Sequence, residues 1–244
     1  VQSQGKSLLA HSRRIHRNGF RRLRGMVASQ LHLVRHGEVF NPNRVLYGRL
    51  PEYGLSESGH QMAALAAADL AGRGRAYSRL IASPLQRTQE SAAPVAKALA
   101  LPIDLDERVI EPTNAFEGKR MRGADSALKD PGNWKYLVNP FRPSWGEPYQ
   151  SIASRMREAM IDAATSVPGG DVVIVSHQLP IWMVHRDVNG KNLFHDPRAR
   201  RCTLSSITTL ELIDPMKPEL GFVEVGYVEP AAELTATALD VGAV

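Results

Sequence analysis

Asp171-Val172-Val173-Ile174-Val175-Ser176-His177 follows directly on the turn Pro168-Gly169-Gly170. Its four consecutive β-branched residues are apolar on both faces and too few for a helix, which predicts a central strand of a parallel sheet. Outward from it, 151–165 has a helical pattern, a short helix is expected from about Pro180, and 206–213 and 222–228 read as closing strands. Upstream, Arg79-Leu80-Ile81-Ala82 reads as a strand. Pro84 then opens a helix to about Ala100, which Pro94 is expected to kink or shorten. Leu31-His32-Leu33-Val34 reads as the first strand, 41–54 as a long loop, and 57–71 as a helix capped by Ser56. This alternation predicts an α/β fold: a three-layer sandwich with a mostly parallel central sheet flanked by helices. Residues 112–148 hold Pro112, Pro131, Pro140, Pro143 and Pro148 with four glycines and two tryptophans, and read as an insertion or lid with one short helix.

At 244 residues, one domain is enough, and it can bury about 70–75% of its unfolded surface without a staple. The single cysteine, Cys202, excludes an intrachain disulfide and any multi-thiolate metal site. No apolar run approaches membrane-spanning length, so no membrane partner is expected. The net charge is +5, but residues 1–25 carry seven Lys and Arg and no acid, so 26–244 carry a net −2. That basic arm is too apolar-poor to fold by itself and is expected to be a disordered extension, with translation starting at Met26. Nucleic acid is therefore not an expected partner of the body. The expected organisation is an arm at 1–25, one catalytic domain at 26–229 and a loose tail at 230–244.

Three predicted strands end in polar residues suited to phosphate chemistry. The first gives Arg35-His36-Gly37-Glu38, the second Ser83-Pro84-Leu85-Gln86-Arg87, and the central one Ser176-His177. In an open α/β sheet ligands bind outside the carboxyl ends of the strands, so Arg35, His36, Arg87 and His177 should share one rim. Two guanidinium groups facing one pocket call for an anion between them, and their planar forks match phosphoryl oxygens. The two imidazoles add a candidate nucleophile or proton carrier.

Taken in order, Leu33-Val34-Arg35-His36-Gly37-Glu38, Gly54-Leu55-Ser56-Glu57-Ser58-Gly59, Ser83-Pro84-Leu85-Gln86-Arg87-Thr88-Gln89 and Val173-Ile174-Val175-Ser176-His177 resemble the histidine phosphatase superfamily, in its phosphoglycerate mutase-like branch. The resemblance implies that His36 attacks phosphorus and becomes a phosphohistidine. It implies that Arg35, Arg87 and a protonated His177 bind the phosphoryl group, and that Glu111 is the proton donor. Glu117 matches the family's second, non-donor glutamate. Asn41 stands near the family's loop asparagine and is taken as a substrate-binding residue. The chain departs from the pattern at Val39, at Gln178-Leu179 after the last histidine, and before Phe116, where the usual glycine is missing.

The activity implied is metal-independent hydrolysis of a small phosphorylated metabolite, with no cofactor, in a cytoplasmic protein that could pair as a homodimer. A phosphoglycerate mutase-type phosphotransferase is the alternative, and a non-catalytic phosphate-binding module a further one. Outside the motifs, His32 alternates with strand residues and should face structure, while His60, His185 and His195 are read as surface or loop residues. Phe116, Trp134, Tyr136 and Trp145 are taken mainly as packing residues that could also line an apolar substrate pocket.

Overall fold

The structure, a computed structural model, describes residues 27–123, 125–139, 143–238 and 240. The basic arm and Met26 lie outside the described residues.

Six strands form one sheet in the order β3-β2-β4-β1-β5-β6. β1 (Leu31–Arg35), β2 (Tyr77–Ala82), β3 (Ile103–Leu105) and β4 (Asp171–Ser176) run parallel, while β5 (Ile207–Leu212) runs antiparallel to β1 and β6 (Phe222–Val228) antiparallel to β5. β4 lies in the interior between β1 and β2 and every residue of it is buried, as its apolar run predicts. The edge strand β3 escapes sequence reading because it has only three residues, with Pro102 just before them and Asp104 among them.

Alternation along the strands builds two cores. On one face Leu31, Leu33, Val172 and Ile174 pack against α3 (Tyr149–Thr165) and α4 (Gln178–Val188). On the other, Val34, Leu80, Val173 and Val175 pack against Ala66 and Leu70 of α1 (Glu57–Gly72) and Ala92 and Val95 of α2 (Gln86–Leu99). The result is the expected three-layer sandwich. Ser56 caps α1 by accepting from Gly59 N, and α2 continues past Pro94 to Leu99.

Two loops rise above the carboxyl ends of the strands. The first is closed at its base by the Val39–Leu55 bridge and the second by the Asn114–Gly146 bridge. Between them the loops share a small core of Leu46, Phe116 and Ala127, against which Met121, Tyr136 and Trp145 pack. The second loop contains two 3-10 segments, Ala127–Lys129 and Pro131–Leu137, in place of the single short helix expected. Of the tail expected to be loose, the structure describes residues 230–238 and 240. This part forms a short helix, α5 (Ala232–Thr235), and Ala231 is buried with Met62 and Leu204.

Candidate active site

The sheet register assembles the site. Arg35 pairs with Ser176 across β1 and β4, and His36 N donates to Ser176 O at 3.1 Å, which places His36 beside His177. Ser83 N donates to Val175 O at 3.0 Å, so the end of β2 joins the same rim. Their adjacency follows from the strand order alone. The turn after β1 then needs glycine for a specific reason: a Cβ on Gly37 would lie 2.4 Å from Gly59 O, and one on Gly59 would lie 2.0 Å from Glu38 O. Gly37 therefore serves a close approach of two backbones.

His36 is buried, and its Nδ1 lies 2.7 Å from Gly37 O. A carbonyl only accepts, so Nδ1 carries the hydrogen and the lone pair sits on Nε2. Burial, then the charges of Arg87 and Arg35, push the His36 pKa well below its ordinary value. The ring is thus neutral, with a free nucleophilic nitrogen. The His177 ring lies 5.2 Å from it, centroid to centroid.

Arg35 and Arg87 are 0% and 1% exposed, which is exceptional for guanidinium groups. Arg35 donates to Cys202 O at 2.7 Å, and Arg87 donates to Gly48 O at 2.7 Å while stacking 4.8 Å over the Tyr47 ring. The Nε of each is buried without a protein partner, as are Glu111 Oε1 and His177 Nδ1. Buried polar groups are normally satisfied, so this convergence marks a place built for a polar ligand. Two fixed positive charges make that ligand an anion.

Glu111 follows the 3-10 turn Glu107–Val109, whose chain is held by Ser176 Oγ donating to Val109 O at 2.7 Å and Arg155 donating to Arg108 O at 2.6 Å. Its carboxylate lies 3.4 Å from His177 Nδ1. Burial raises the Glu111 pKa to about 7, against the opposing pull of Arg87, Arg200 and Arg35. A carboxyl group poised near neutrality can give and take a proton. Glu117 is tied into the loop above, where its carboxylate accepts from Arg49 N at 2.9 Å.

The raised pKa of Glu111 has a stability consequence. A carboxyl that is harder to ionise folded than unfolded contributes stability below its unfolded pKa, and this is lost as pH rises through the folded value near 7. Glu111→Gln, which cannot ionise, should therefore gain about 2–3 kcal/mol relative to the parent between pH 5 and pH 8 in urea unfolding. A pH-independent difference would show that Glu111 is not held in this way.

In the site without a bound anion, burial, Arg87 and His36 push the His177 pKa well below the ordinary value, and its Nε2 lies 2.8 Å from Ser83 Oγ. One expectation about the site needs correction. Asn41 was expected at the substrate, but both ends of its amide bond Val45, donating to the carbonyl at 2.8 Å and accepting from the amide at 3.2 Å. It ties the loop together. His185 lies in α4 and not at the surface or in a loop as expected, whereas His195 is in a loop but buried. Both are buried, His185 stacked on Trp182 and beside Glu224 at 2.5 Å, and His195 accepting from Arg200 Nε at 2.9 Å. His32 does face structure, lying between Thr209 and Asp171 at 3.0 Å from each.

Sequence reasoning missed Asp240. Its carboxylate takes the Arg35 fork in bidentate fashion, at 2.8 Å from Nη1 and 2.6 Å from Nη2. No motif could have announced it, since the partners are 205 positions apart. Tyr47 and Arg200 were missed for the same lack of a local signal. Among the described residues, no three His, Cys, Asp or Glu side chains form a group that could hold a metal ion, and no helix is long and apolar enough to cross a membrane.

Comparison with known proteins matches this arrangement. The chain is 48% identical over 204 residues to Rv0525 of Mycobacterium tuberculosis (strain ATCC 25618 / H37Rv), spanning 84% of this chain and 98% of that protein. It is 30% identical over 187 residues to the probable phosphoglycerate mutase GpmB of Enterobacter sp. (strain 638), spanning 73% of this chain and 84% of that one. The mycobacterial glucosyl-3-phosphoglycerate phosphatase Rv2419c superposes with a TM-score of 0.63 at 21% identity, over 82% of this chain and 96% of its own. The model of the histidine phosphatase superfamily (branch 1) matches residues 31–220, a span that takes in His36, Arg87, Glu111 and His177. The chain belongs to the histidine phosphatase superfamily, branch 1.

Proposed function

We propose that the protein is a phosphomonoester hydrolase working through a phosphohistidine on His36, with no metal ion. The observation that carries this reading is the neutral, buried His36, whose Nδ1 is committed to Gly37 O, leaving the lone pair on Nε2, within the field of the buried Arg87 and Arg35. A pure binding site would have no use for an imidazole prepared in this way, nor for a buried carboxyl with a pKa near 7 beside it.

The chemistry proceeds in two steps. Phosphoryl transfer has a loose, anionic transition state, so positioning and charge stabilisation supply most of the rate. His36 Nε2 attacks phosphorus, Arg35 and Arg87 hold the equatorial oxygens, and Glu111 gives its proton to the leaving alkoxide. Glu111 then takes a proton from water as it attacks the phosphohistidine. A bound dianion offsets the arginine charges that keep His177 neutral, and so favours an imidazolium donating to phosphoryl oxygen. This charge set does the work that a divalent cation performs elsewhere. Activity toward phosphomonoesters should accordingly survive excess chelator. Loss on chelation with recovery on adding a divalent ion would overturn the metal-free part of the reading.

Hydrolysis is favoured over transfer by Asp240. A mutase must keep its phosphorylated intermediate bound between half-reactions, whereas here a carboxylate stands ready to reclaim Arg35 as product leaves. The same competition predicts that Asp240→Asn lowers KM for phosphate esters and the inhibition constant of inorganic phosphate by about 5–10-fold, the value of a charge-assisted pair at a partly exposed position. Unchanged constants would remove Asp240 from the account. The direct test of hydrolase against phosphotransferase is product partition: inorganic phosphate released in the presence of a second alcohol supports the reading, and stoichiometric transfer to that alcohol contradicts it.

A further inference from the structure

Beside the phosphoryl site lies a second chamber that the chemistry above does not use. It is a cavity of about 280 Å³ between the two loops that rise over the sheet, walled chiefly by Leu46, Phe116, Met121, Leu137, Trp145 and Tyr149. Its charged lining is Asp240, Arg200, Arg122 and Glu147, of which Asp240 is tied to Arg35 and Glu147 to Arg155, and Pro112, next in the chain to Glu111, is also in its wall. Asp240 thus stands between the chamber and Arg35. An ester whose phosphoryl group displaces that carboxylate from the arginine fork would have its alcohol portion directed into the chamber.

The walls decide what that alcohol can be. A polyhydroxylated group placed against leucine, methionine and aromatic side chains would leave its hydroxyls without partners, whereas an alkyl or aryl group would lose only water. We infer that the chamber is the leaving-group site and that the preferred substrates are phosphomonoesters of apolar alcohols, alkyl or aromatic, in preference to sugar, glycerate or amino-acid phosphates. The inference rests on the phosphomonoesterase reading, but it concerns binding and can be tested apart from turnover. Glu147 and Asn114 at the chamber also leave room for one polar substituent on such a group.

The experiment measures affinity for non-hydrolysable phosphonates by calorimetry and turnover of matched esters by phosphate release. Hexylphosphonate should bind about 10²-fold more tightly than methylphosphonate, from burial of its added methylenes. Hexyl phosphate should exceed glycerol 1-phosphate and 3-phosphoglycerate in kcat/KM by at least about tenfold, their leaving groups all being alkoxides. Leu137→Gln and Met121→Gln should shrink both preferences while leaving methylphosphonate binding unchanged. Leu137 is 38% exposed, so that exchange does not threaten folding. Equal binding of hexyl- and methylphosphonate, or a preference for 3-phosphoglycerate, overturns the inference even where hydrolysis is observed. Tight hexylphosphonate binding that Leu137→Gln weakens, with no ester hydrolysed, supports the chamber and refutes the phosphatase reading instead.

Discussion

Glu111→Gln is expected to lower kcat for alkyl phosphates by about 10²–10⁴-fold while slowing phosphoenzyme formation from nitrophenyl phosphate far less. An alkoxide leaves poorly without a proton, and the Glu111 carboxyl, raised to about 7 by burial, is the group in the site suited to give one. A nitrophenolate needs no such help. Gln keeps the size and polarity of the side chain but carries no transferable proton, so a leaving-group dependence identifies acid catalysis and separates it from misfolding. Glu117→Gln should show no such dependence, because that carboxylate accepts from Arg49 N and holds the loop. If the pattern appeared at Glu117 and not at Glu111, the acid would be misassigned.

His36→Ala should have the larger effect, a loss on the order of 10⁵-fold in kcat that is the same for good and poor leaving groups. Removing the proposed nucleophile closes the covalent route for every ester, whereas Arg35, Arg87 and His177, proposed to hold the phosphoryl group, remain. Binding of vanadate or inorganic phosphate should therefore persist in this variant. Retained turnover would mean that water attacks the ester directly, with His36 no more than a wall of the pocket.

How far the sequence revealed this site depends on how local each signal is. His36, Arg35, Arg87 and His177 were legible because each lies at or just past the end of an apolar strand, and parallel pairing of β2, β4 and β1 brings those ends together. The same alternation made both faces of the sheet readable, and Pro94 misled only because tertiary packing carries α2 through it. Glu111 was legible only through its order among the motifs. What raises its pKa, full burial against the opposing charges of nearby arginines, is a property of the folded chain. The lowered pKa of His177 was out of reach for the same reason, since its burial and the arginine charges around it come from distant segments. Asn41 was misplaced because a loop asparagine reads the same whether it faces substrate or its own backbone. Asp240 could not be read at all: it belongs to an Ala-rich tail whose anchoring, through Ala231 on Met62 and Leu204, depends on a surface that folding creates.

The central claim is the covalent intermediate on His36, and its most direct test is to quench the enzyme in alkaline denaturant during turnover of an ester labelled in its phosphoryl group. A phosphohistidine survives base and hydrolyses in acid. The account predicts protein-bound label that is base-stable and acid-labile, that maps to the peptide containing His36, and that is absent from His36→Ala. Turnover with no label on the protein, or label on another residue that persists in His36→Ala, would contradict it.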